Sequence, residues 1–264
     1  MPARCLPVLP GQLHLTRPLA VRGLRGERRC TLYLPPGYHD APTRRYPVAY
    51  LFDGQNLFGD AGSFAGGWHL HHLLDARAAA GKLTPIVVGI HHGGAHRTED
   101  LSPWRLGRGQ EGRFEALLDW LLRELRPLIQ SELRGLEGPG DTLIGGASLG
   151  GLAALYAQFK HPDVFGRALV MSPSLWVNRA GMAQLAYQAR WTAEMRLYLD
   201  AGGREMGGQA LRDARRMAEQ LVARGLEPGV QLMWRPDRRG AHNERNWARR
   251  LPKALRFLYD GARR

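Results

Sequence analysis

Three residues near the middle of the chain form a pattern that could carry covalent chemistry. Gly146, Ser148 and Gly150 are spaced as Gly-x-Ser-x-Gly, with a short apolar segment before them and a helical segment after them. In a sharp strand-to-helix turn of this kind, the serine hydroxyl stands clear of the sheet, and glycine at the two flanking positions avoids collisions with neighbouring backbone. The pattern predicts that Ser148 is a nucleophile for acyl transfer. The alternative is a serine in a purely structural turn.

Two backbone N–H groups are candidates for stabilising the anion that such an attack creates. The turn directs the N–H of Leu149, and the start of a helix dipole, to the place where an oxyanion would form. The segment Asp53-Gly54-Gln55 follows the apolar run 46–52, at the sheet edge where ligands bind. Gly54 would let the backbone approach the substrate closely, and the N–H of Gln55 is the second candidate donor. A simple turn after a strand is the alternative interpretation.

The general base and its carboxylate partner are expected after the nucleophile in the chain. Only His161 and His242 follow Ser148, and His161 lies at the far end of the helix that begins at the turn. His242 lies in a glycine-flanked loop after the last predicted strand, where it could reach the serine. Asp200 and Glu205 are both candidates for the acid. Glu205 is favoured because it stands in an extended loop, whereas Asp200 belongs to a strand end.

The histidines earlier in the chain do not have the spacing of a metal site. His92 and His96 are four residues apart, but Gly93 and Gly94 between them argue against a helix there. No acidic residue stands at a recognisable ligand distance along the chain. We therefore predict neither a metal ion nor an organic cofactor. Arg97, in the loop that follows, is predicted to line the pocket.

Alternating strands and helices must position these residues. Two antiparallel strands are predicted within 11–36, and buried strands are indicated by apolar runs bounded by turn residues. These strands are 46–52, 85–90, the short strand from 142, 168–171, 195–200 and 230–234. Helices are predicted at 68–80, 114–133, 152–159, 209–224 and from 247 onward. Pro127 and Pro252 are expected to kink or interrupt two of them. The 264 residues suit one large α/β domain spanning 1–264.

Composition and charge exclude several classes of protein. Hydrophobic residues make up 44% of the chain, too many for a disordered protein, and no apolar run is long enough for a membrane span. The formal charge is +13, and all but three of the 37 basic residues are arginine. They are spread along the chain, which argues against a nucleic-acid-binding arm. The charge is interpreted as a solvated surface, or alternatively as a field that attracts anionic substrates.

The N-terminus and the cysteines indicate a compartment. Residues 1–7 lack the apolar core of a signal peptide, so we expect a cytoplasmic protein. Cys5 and Cys30 are too few for a disulfide framework and are interpreted as free thiols.

Five segments together resemble the esterase family of α/β-hydrolases. This family covers enterochelin-esterase-like and esterase D-like hydrolases, feruloyl esterase modules and mycolyltransferases. The segments are 53–58, 146–151, 172–176, 202–205 and 240–247. The resemblance runs from about residue 28 to the C-terminus. It implies an α/β-hydrolase fold, with a mostly parallel central sheet flanked by helices and little or no cap domain.

The resemblance also implies roles for individual residues. It assigns the nucleophile to Ser148, the acid to Glu205, the base to His242, and the oxyanion donors to Gln55 and Leu149. Substrate contacts are expected from a further set, which comprises Asp53, Gly54, Arg97, Trp176 and Trp247.

One sequence difference from many esterases indicates which branch of the family this chain resembles. Where those enzymes have His-Gly before the oxyanion residue, this chain has Asp53-Gly54, as in the mycolyltransferase-like and enterochelin-esterase-like branch. The predicted function is a serine ester hydrolase acting through an acyl-enzyme on a small-molecule ester, siderophore-like or aromatic and in one interpretation anionic. Neither nucleic acid nor membrane is an expected partner, and the oligomeric state is not predicted. The alternatives are an acyltransferase with the same triad and a non-catalytic binding protein.

Overall fold

The protein is built around one large β-sheet, seen in a computed structural model that describes residues 10–63, 65–107 and 109–261. The strands are β1 (Gln12–Leu15), β2 (Leu19–Ala20), β3 (Glu27–Arg28), β4 (Cys30–Leu34), β5 (Val48–Phe52), β6 (Ile86–Ile90), β7 (Thr142–Ala147), β8 (Arg167–Met171), β9 (Arg196–Gly202) and β10 (Leu232–Asp237). Eight of them form a sheet in the order β1-β4-β6-β5-β7-β8-β9-β10. Strands β5 to β10 are parallel, and β4 is antiparallel to both of its neighbours. The predicted mostly parallel sheet is confirmed.

Helices cover both faces of this sheet. They are α1 (Leu70–Ala79), α2 (Arg97–Asp100), α3 (Phe114–Trp120), α4 (Arg126–Glu132), α5 (Leu149–Lys160), α6 (Arg179–Gln188), α7 (Gln209–Ala223) and α8 (Glu244–Leu255). Side chains of β5 show how the two layers arise, because successive residues of a strand point to opposite faces. Tyr50 and Phe52 pack into the core under α3, α5 and α7, whereas Ala49 and Leu51 pack into the core under α1 and α8.

The order of the strands creates a crevice at one point of the sheet. From β5 the chain passes to β6 on one side, and later returns to place β7 on the other side of β5. In open α/β sheets, ligands bind outside the carboxyl ends of the strands where the order reverses in this way. Asp53 follows β5 and Ser148 follows β7, so both residues lie at the crevice.

The two predicted helix interruptions have different outcomes. Pro127 lies in the first turn of α4, directly after a π-helical segment, Leu121–Leu125, so the helix restarts there as expected. The interruption predicted at Pro252 is wrong, since α8 continues through it to Leu255 and then into a π-helical segment, Arg256–Asp260. Proline removes one backbone donor. Helix α8 tolerates the loss because its opposite face, including Trp247 and Leu251, is buried in the core.

Several elements were not predicted, among them the ten-residue helix α6. The antiparallel pairing of β1 with β4 confirms the predicted N-terminal strands. Between them in the chain lies a hairpin, β2–β3, whose two strands have two residues each. The predicted loop 91–104 contains the 3₁₀ turn Gly94–His96 and the single helical turn α2. Elements of two to four residues are too short to show a hydrophobic period.

The described chain also bears on the cysteines and on membranes. Cys30 is a buried free thiol, and burial raises its pKa to about 12. Cys5 lies outside the described residues, so the interpretation of both cysteines as free thiols stays a prediction. Among the described helices, none has the length and apolarity needed to cross a bilayer.

Candidate active site

Ser148 occupies a strained turn between β7 and α5. Its backbone has φ 59° and ψ −123°, a conformation that non-glycine residues rarely adopt. The turn is fixed by the N–H of Ser148, which donates to the carbonyl of Met171 over 3.0 Å. A Cβ at Gly146 would lie 2.8 Å from the backbone of Gly150, as expected for a turn this tight. A Cβ at Gly150 would instead press on the Asp53 carboxylate at 3.2 Å, so this glycine makes room for a side chain.

The hydroxyl of Ser148 begins a hydrogen-bonded chain of three side chains. Its Oγ lies 2.9 Å from Nε2 of His242, and Nδ1 of His242 lies 3.0 Å from Oε2 of Glu205. The three residues follow β7, β10 and β9, which are parallel, so their loops meet at one edge of the sheet. The Glu205 side chain is fully buried, whereas that of His242 is 41% exposed. A buried acid therefore orients a histidine whose other nitrogen faces a serine at the surface of the crevice.

Glu205 is held by donors that sequence reasoning missed. Its Oε1 accepts hydrogen bonds from the N–H of Gly202 at 2.9 Å and from the hydroxyl of Ser172 at 2.7 Å. The Ser172 oxygen in turn accepts from Trp247 Nε1 and Arg250 Nη2, both at 3.0 Å. These bonds leave Oε2 free to contact the histidine. The Ser172 hydroxyl is thus bonded to a carboxylate rather than to a histidine.

Asp200, the second candidate acid, faces the opposite way. Its carboxylate is fully buried, 3.3 Å from Arg250 Nη1, and accepts from the N–H of Ser172 and the hydroxyl of Tyr198. Burial raises the pKa of Asp200 to about 7, although the charge of Arg250 opposes the rise. A signal for Arg250 exists in the sequence, since it lies three residues after Trp247 on the apolar face of α8. A lone arginine on such a face indicates a buried charged partner.

Replacing Arg250 by methionine is expected to destabilise the fold by about 3–5 kcal/mol at pH 8, because two carboxylates would lose a buried cation. Asp200 binds a proton more readily in the folded than in the unfolded state, since burial raises its pKa. Protonation would therefore relieve the unpaired charge, and the deficit should shrink as the pH falls from 8 to 6. Urea unfolding at both pH values measures this. Arg249→Met, at an exposed neighbour, is the control and should cost less than about 1 kcal/mol.

A cleft of about 390 Å³ opens beside the Ser148 hydroxyl. Its lining residues come from the loops after β5, β6, β7 and β10 and are Asp53, Gln55, Asn56, Gly62, Trp68, His92, Arg97, Ala147, Ser148, His242, Glu244 and Trp247. Within it, Nε and Nη2 of Arg97 donate to the two carboxylate oxygens of Asp53, both over 2.7 Å. Burial lowers the pKa of His92, although Asp53 opposes the shift.

The predicted substrate contacts are distributed unevenly. Asp53, Arg97 and Trp247 line the cleft, but Gly54 and Trp176 do not. Packing alone already requires glycine at position 54, because a Cβ there would lie 2.2 Å from the backbone of Gly89 on β6. The predicted approach of this backbone to a substrate stays a prediction. Trp176 is 44% exposed on the β8–α6 loop.

The two candidate oxyanion donors both have unused N–H groups. Gln55 lies in the 3₁₀ turn after Asp53, and Leu149 is the first residue of α5. Neither backbone N–H donates a hydrogen bond within the described ranges. Helix starts leave such groups unpaired, and these can bind an anion. Across the described residues, no group of three or more His, Cys, Asp or Glu side chains could hold a metal ion.

Known proteins resemble this chain over most of its length. Residues 22–258 match the family described as "Putative esterase". The "Uncharacterized protein YbbA" of Bacillus subtilis is 26% identical over 248 residues, covering 89% of this chain and 93% of that protein. The "Iron(III) enterobactin esterase" of Dickeya dadantii is 33% identical over 159 residues, covering 58% of this chain and 31% of that protein.

A solved structure shares the fold. An "IroE-like serine hydrolase" from Shewanella oneidensis superposes with a TM-score of 0.79 at 22% identity, covering 94% of this chain and 80% of that one. The match spans about a third of the length of the enterobactin esterase. The family match extends from before β3 to the π-helical segment that follows α8. The chain therefore belongs to this esterase family and is a carboxylic ester hydrolase with the α/β-hydrolase fold.

Proposed function

We propose that this protein is a serine ester hydrolase in which Ser148 is the nucleophile, His242 the general base and Glu205 the acid that orients it. The single observation that supports this most strongly is the hydrogen-bonded chain from the Ser148 hydroxyl through His242 to Glu205. General-base catalysis needs hydrogen-bond reach between nucleophile and base, and the Oγ–Nε2 distance of 2.9 Å meets it.

In the acylation step, the oxygen of Ser148 attacks the ester carbonyl carbon while its proton passes to Nε2 of His242. A tetrahedral intermediate forms, with negative charge on the former carbonyl oxygen. Its collapse breaks the bond to the alcohol oxygen, which takes the proton from His242 and leaves. Glu205 accepts the Nδ1–H hydrogen bond throughout, and so stabilises the imidazolium that forms transiently.

In the deacylation step, water replaces the alcohol and the same groups act again. His242 removes a proton from water, the resulting hydroxide attacks the acyl carbon, and the bond to Ser148 breaks as the serine oxygen regains the proton. The N–H groups of Gln55 and Leu149 would donate to the oxyanion in both steps. Loss of one such donor typically lowers the rate on the order of 100-fold or more.

The substrate we propose is a siderophore-like or aromatic ester. Support comes from similar proteins, of which one is an iron(III) enterobactin esterase and another is a siderophore triacetylfusarinine C esterase from Aspergillus fumigatus. The formal charge of +13 would attract an anionic ester from solution. That attraction would weaken as salt is added, because mobile ions screen it.

Active-site labelling tests the proposed nucleophile. A fluorophosphonate probe should modify the wild-type protein once, and peptide mass spectrometry should place the adduct on Ser148. Ser174→Ala is the matched control, since the Ser174 hydroxyl lies 3.3 Å from that of Ser148 but Ser174 is not in the strand-to-helix turn. The label should persist in Ser174→Ala and disappear in Ser148→Ala. An adduct on Ser174, or none at all, would contradict the proposal.

A further inference from the structure

One carboxylate in the cleft forms no salt bridge within the described ranges. Glu244 is 5% exposed and lines the cleft together with Ser148 and His242. Its one hydrogen bond within the described ranges comes from Nδ2 of Asn56, which donates to Oε1 over 3.3 Å. The described residues place no arginine, lysine or histidine nitrogen within 4.0 Å of it. Its second oxygen, Oε2, has no protein partner there and is not sealed from solvent, so it opens on the cleft.

The other buried carboxylates in the described part of the chain are paired. The pairs are Asp53 with Arg97, Asp100 with Arg28, Asp200 with Arg250, Glu205 with Arg250 at 3.8 Å, and Asp213 with Arg179. Burial of a charge without a partner is costly, so this pairing is what physical chemistry requires. Glu244, at the wall of the cleft, is the exception to this pairing among the described buried carboxylates. A buried polar group left without a partner at such a place marks a position that a ligand can satisfy.

The surroundings of Glu244 are the start of a helix and one arginine that is bound to another carboxylate. It is the first residue of α8, a helix of 12 residues whose dipole favours an anion at that end. The guanidinium of Arg97 gives two hydrogen bonds to Asp53, so its charge acts on Glu244 only at longer range. Glu244 therefore keeps an oxygen for a ligand although a cation lies in the same cleft.

We propose that Glu244 is a substrate-binding subsite that accepts a hydrogen bond from an ammonium or hydroxyl group carried by the ester. The inference deepens the proposed function and rests on it, because the subsite lies in the cleft beside Ser148. Asn56 fixes the rotamer of the carboxylate through Oε1, and Oε2 receives the donor. A hydrogen bond to a charged acceptor in a cleft of this kind is worth about tenfold to 100-fold in binding.

Matched esters test the subsite. On the acyl side, ethyl 3-aminobutyrate and ethyl 3-hydroxybutyrate carry an ammonium or a hydroxyl donor, and ethyl butyrate carries neither. On the alcohol side, 2-hydroxyethyl butyrate is compared with propyl butyrate. The wild-type kcat/KM should be at least about tenfold higher for a donor-bearing ester than for its partner on one side. The difference should lie mainly in KM, and the two acyl-side donors distinguish an ammonium from a hydroxyl group.

Variants assign the preference to the carboxylate. Glu244→Gln should remove most of an ammonium preference, and Glu244→Ala should remove either preference, each measured as the ratio of kcat/KM for a donor-bearing ester to that for its partner. Glu227→Gln is the charge-matched control at an exposed position and should keep the wild-type ratio. Thermal unfolding shows whether each variant is folded, and the ratio of two esters within one variant is independent of the folded fraction.

Two results would overturn the subsite. One is equal kcat/KM for all matched esters in the wild type. The other is an equal loss for every ester in Glu244→Gln, which would indicate that Glu244 only supports the start of α8 and the position of His242. Labelling by a fluorophosphonate that carries no ammonium or hydroxyl group depends on Ser148 and does not depend on the Glu244 subsite. A labelled enzyme with no preference therefore overturns the subsite alone, whereas an unlabelled enzyme counts against the proposed function.

Discussion

Replacing Ser148 by alanine is expected to lower kcat/KM for any ester substrate by on the order of 10⁴- to 10⁶-fold, the range found when a serine nucleophile is removed. The oxygen that we propose forms the acyl-enzyme bond would be lost, and His242 would have no nucleophile to deprotonate. Activity on a short-chain p-nitrophenyl ester, followed at saturating and subsaturating substrate, measures the effect on kcat and on KM separately.

The fold should not change in this variant. Alanine keeps the Cβ of serine, so the positive φ of 59° imposes the same strain, and the unfolding midpoint should stay near that of the wild type. Ser174→Ala should retain most of the activity, since its hydroxyl contacts Ser148 but not His242. Activity that survives in Ser148→Ala at more than about one hundredth of the wild-type rate would contradict the assignment.

Replacing Glu205 by glutamine is expected to lower kcat by on the order of 10³- to 10⁴-fold with little change in KM. The amide fills the same volume but carries no charge, so it no longer stabilises the imidazolium and can hold His242 in the wrong tautomer. The loss concerns the transition state rather than substrate binding, which is why it should appear in kcat. Steady-state kinetics on the same ester measures it.

Asp200→Asn is the comparison that separates the two acids. Asp200 contacts Arg250 and Ser172 rather than His242, so its loss should reduce kcat far less than Glu205→Gln does. Its effect should appear instead as a lower unfolding free energy, because Arg250 would lose a buried partner. A larger loss of kcat in Asp200→Asn than in Glu205→Gln would show that the acid is assigned to the wrong residue.

The local features of this protein were predictable from its sequence. The strand-to-helix turn at Ser148 depends on residues adjacent in the chain, so the Gly-x-Ser-x-Gly spacing was enough to indicate it. Strands β5 to β10 are apolar runs bounded by turn residues. These runs located each strand in the sequence to within a few residues. The parallel sheet and the esterase family followed from those elements and motifs. Elements of two to four residues, such as β2 and α2, carry no such signal.

Only the tertiary structure decided which distant side chains meet. Asp200 and Glu205 are five residues apart, and the sequence left both open as partners of His242. The structure turns Asp200 inward to Arg250 and brings Glu205 to the histidine. Burial and pairing depend on how separate elements pack, and no local pattern reports them. For the same reason, the sequence assigned no role to Glu244, and only the described structure shows it as a buried carboxylate of the cleft without a salt bridge.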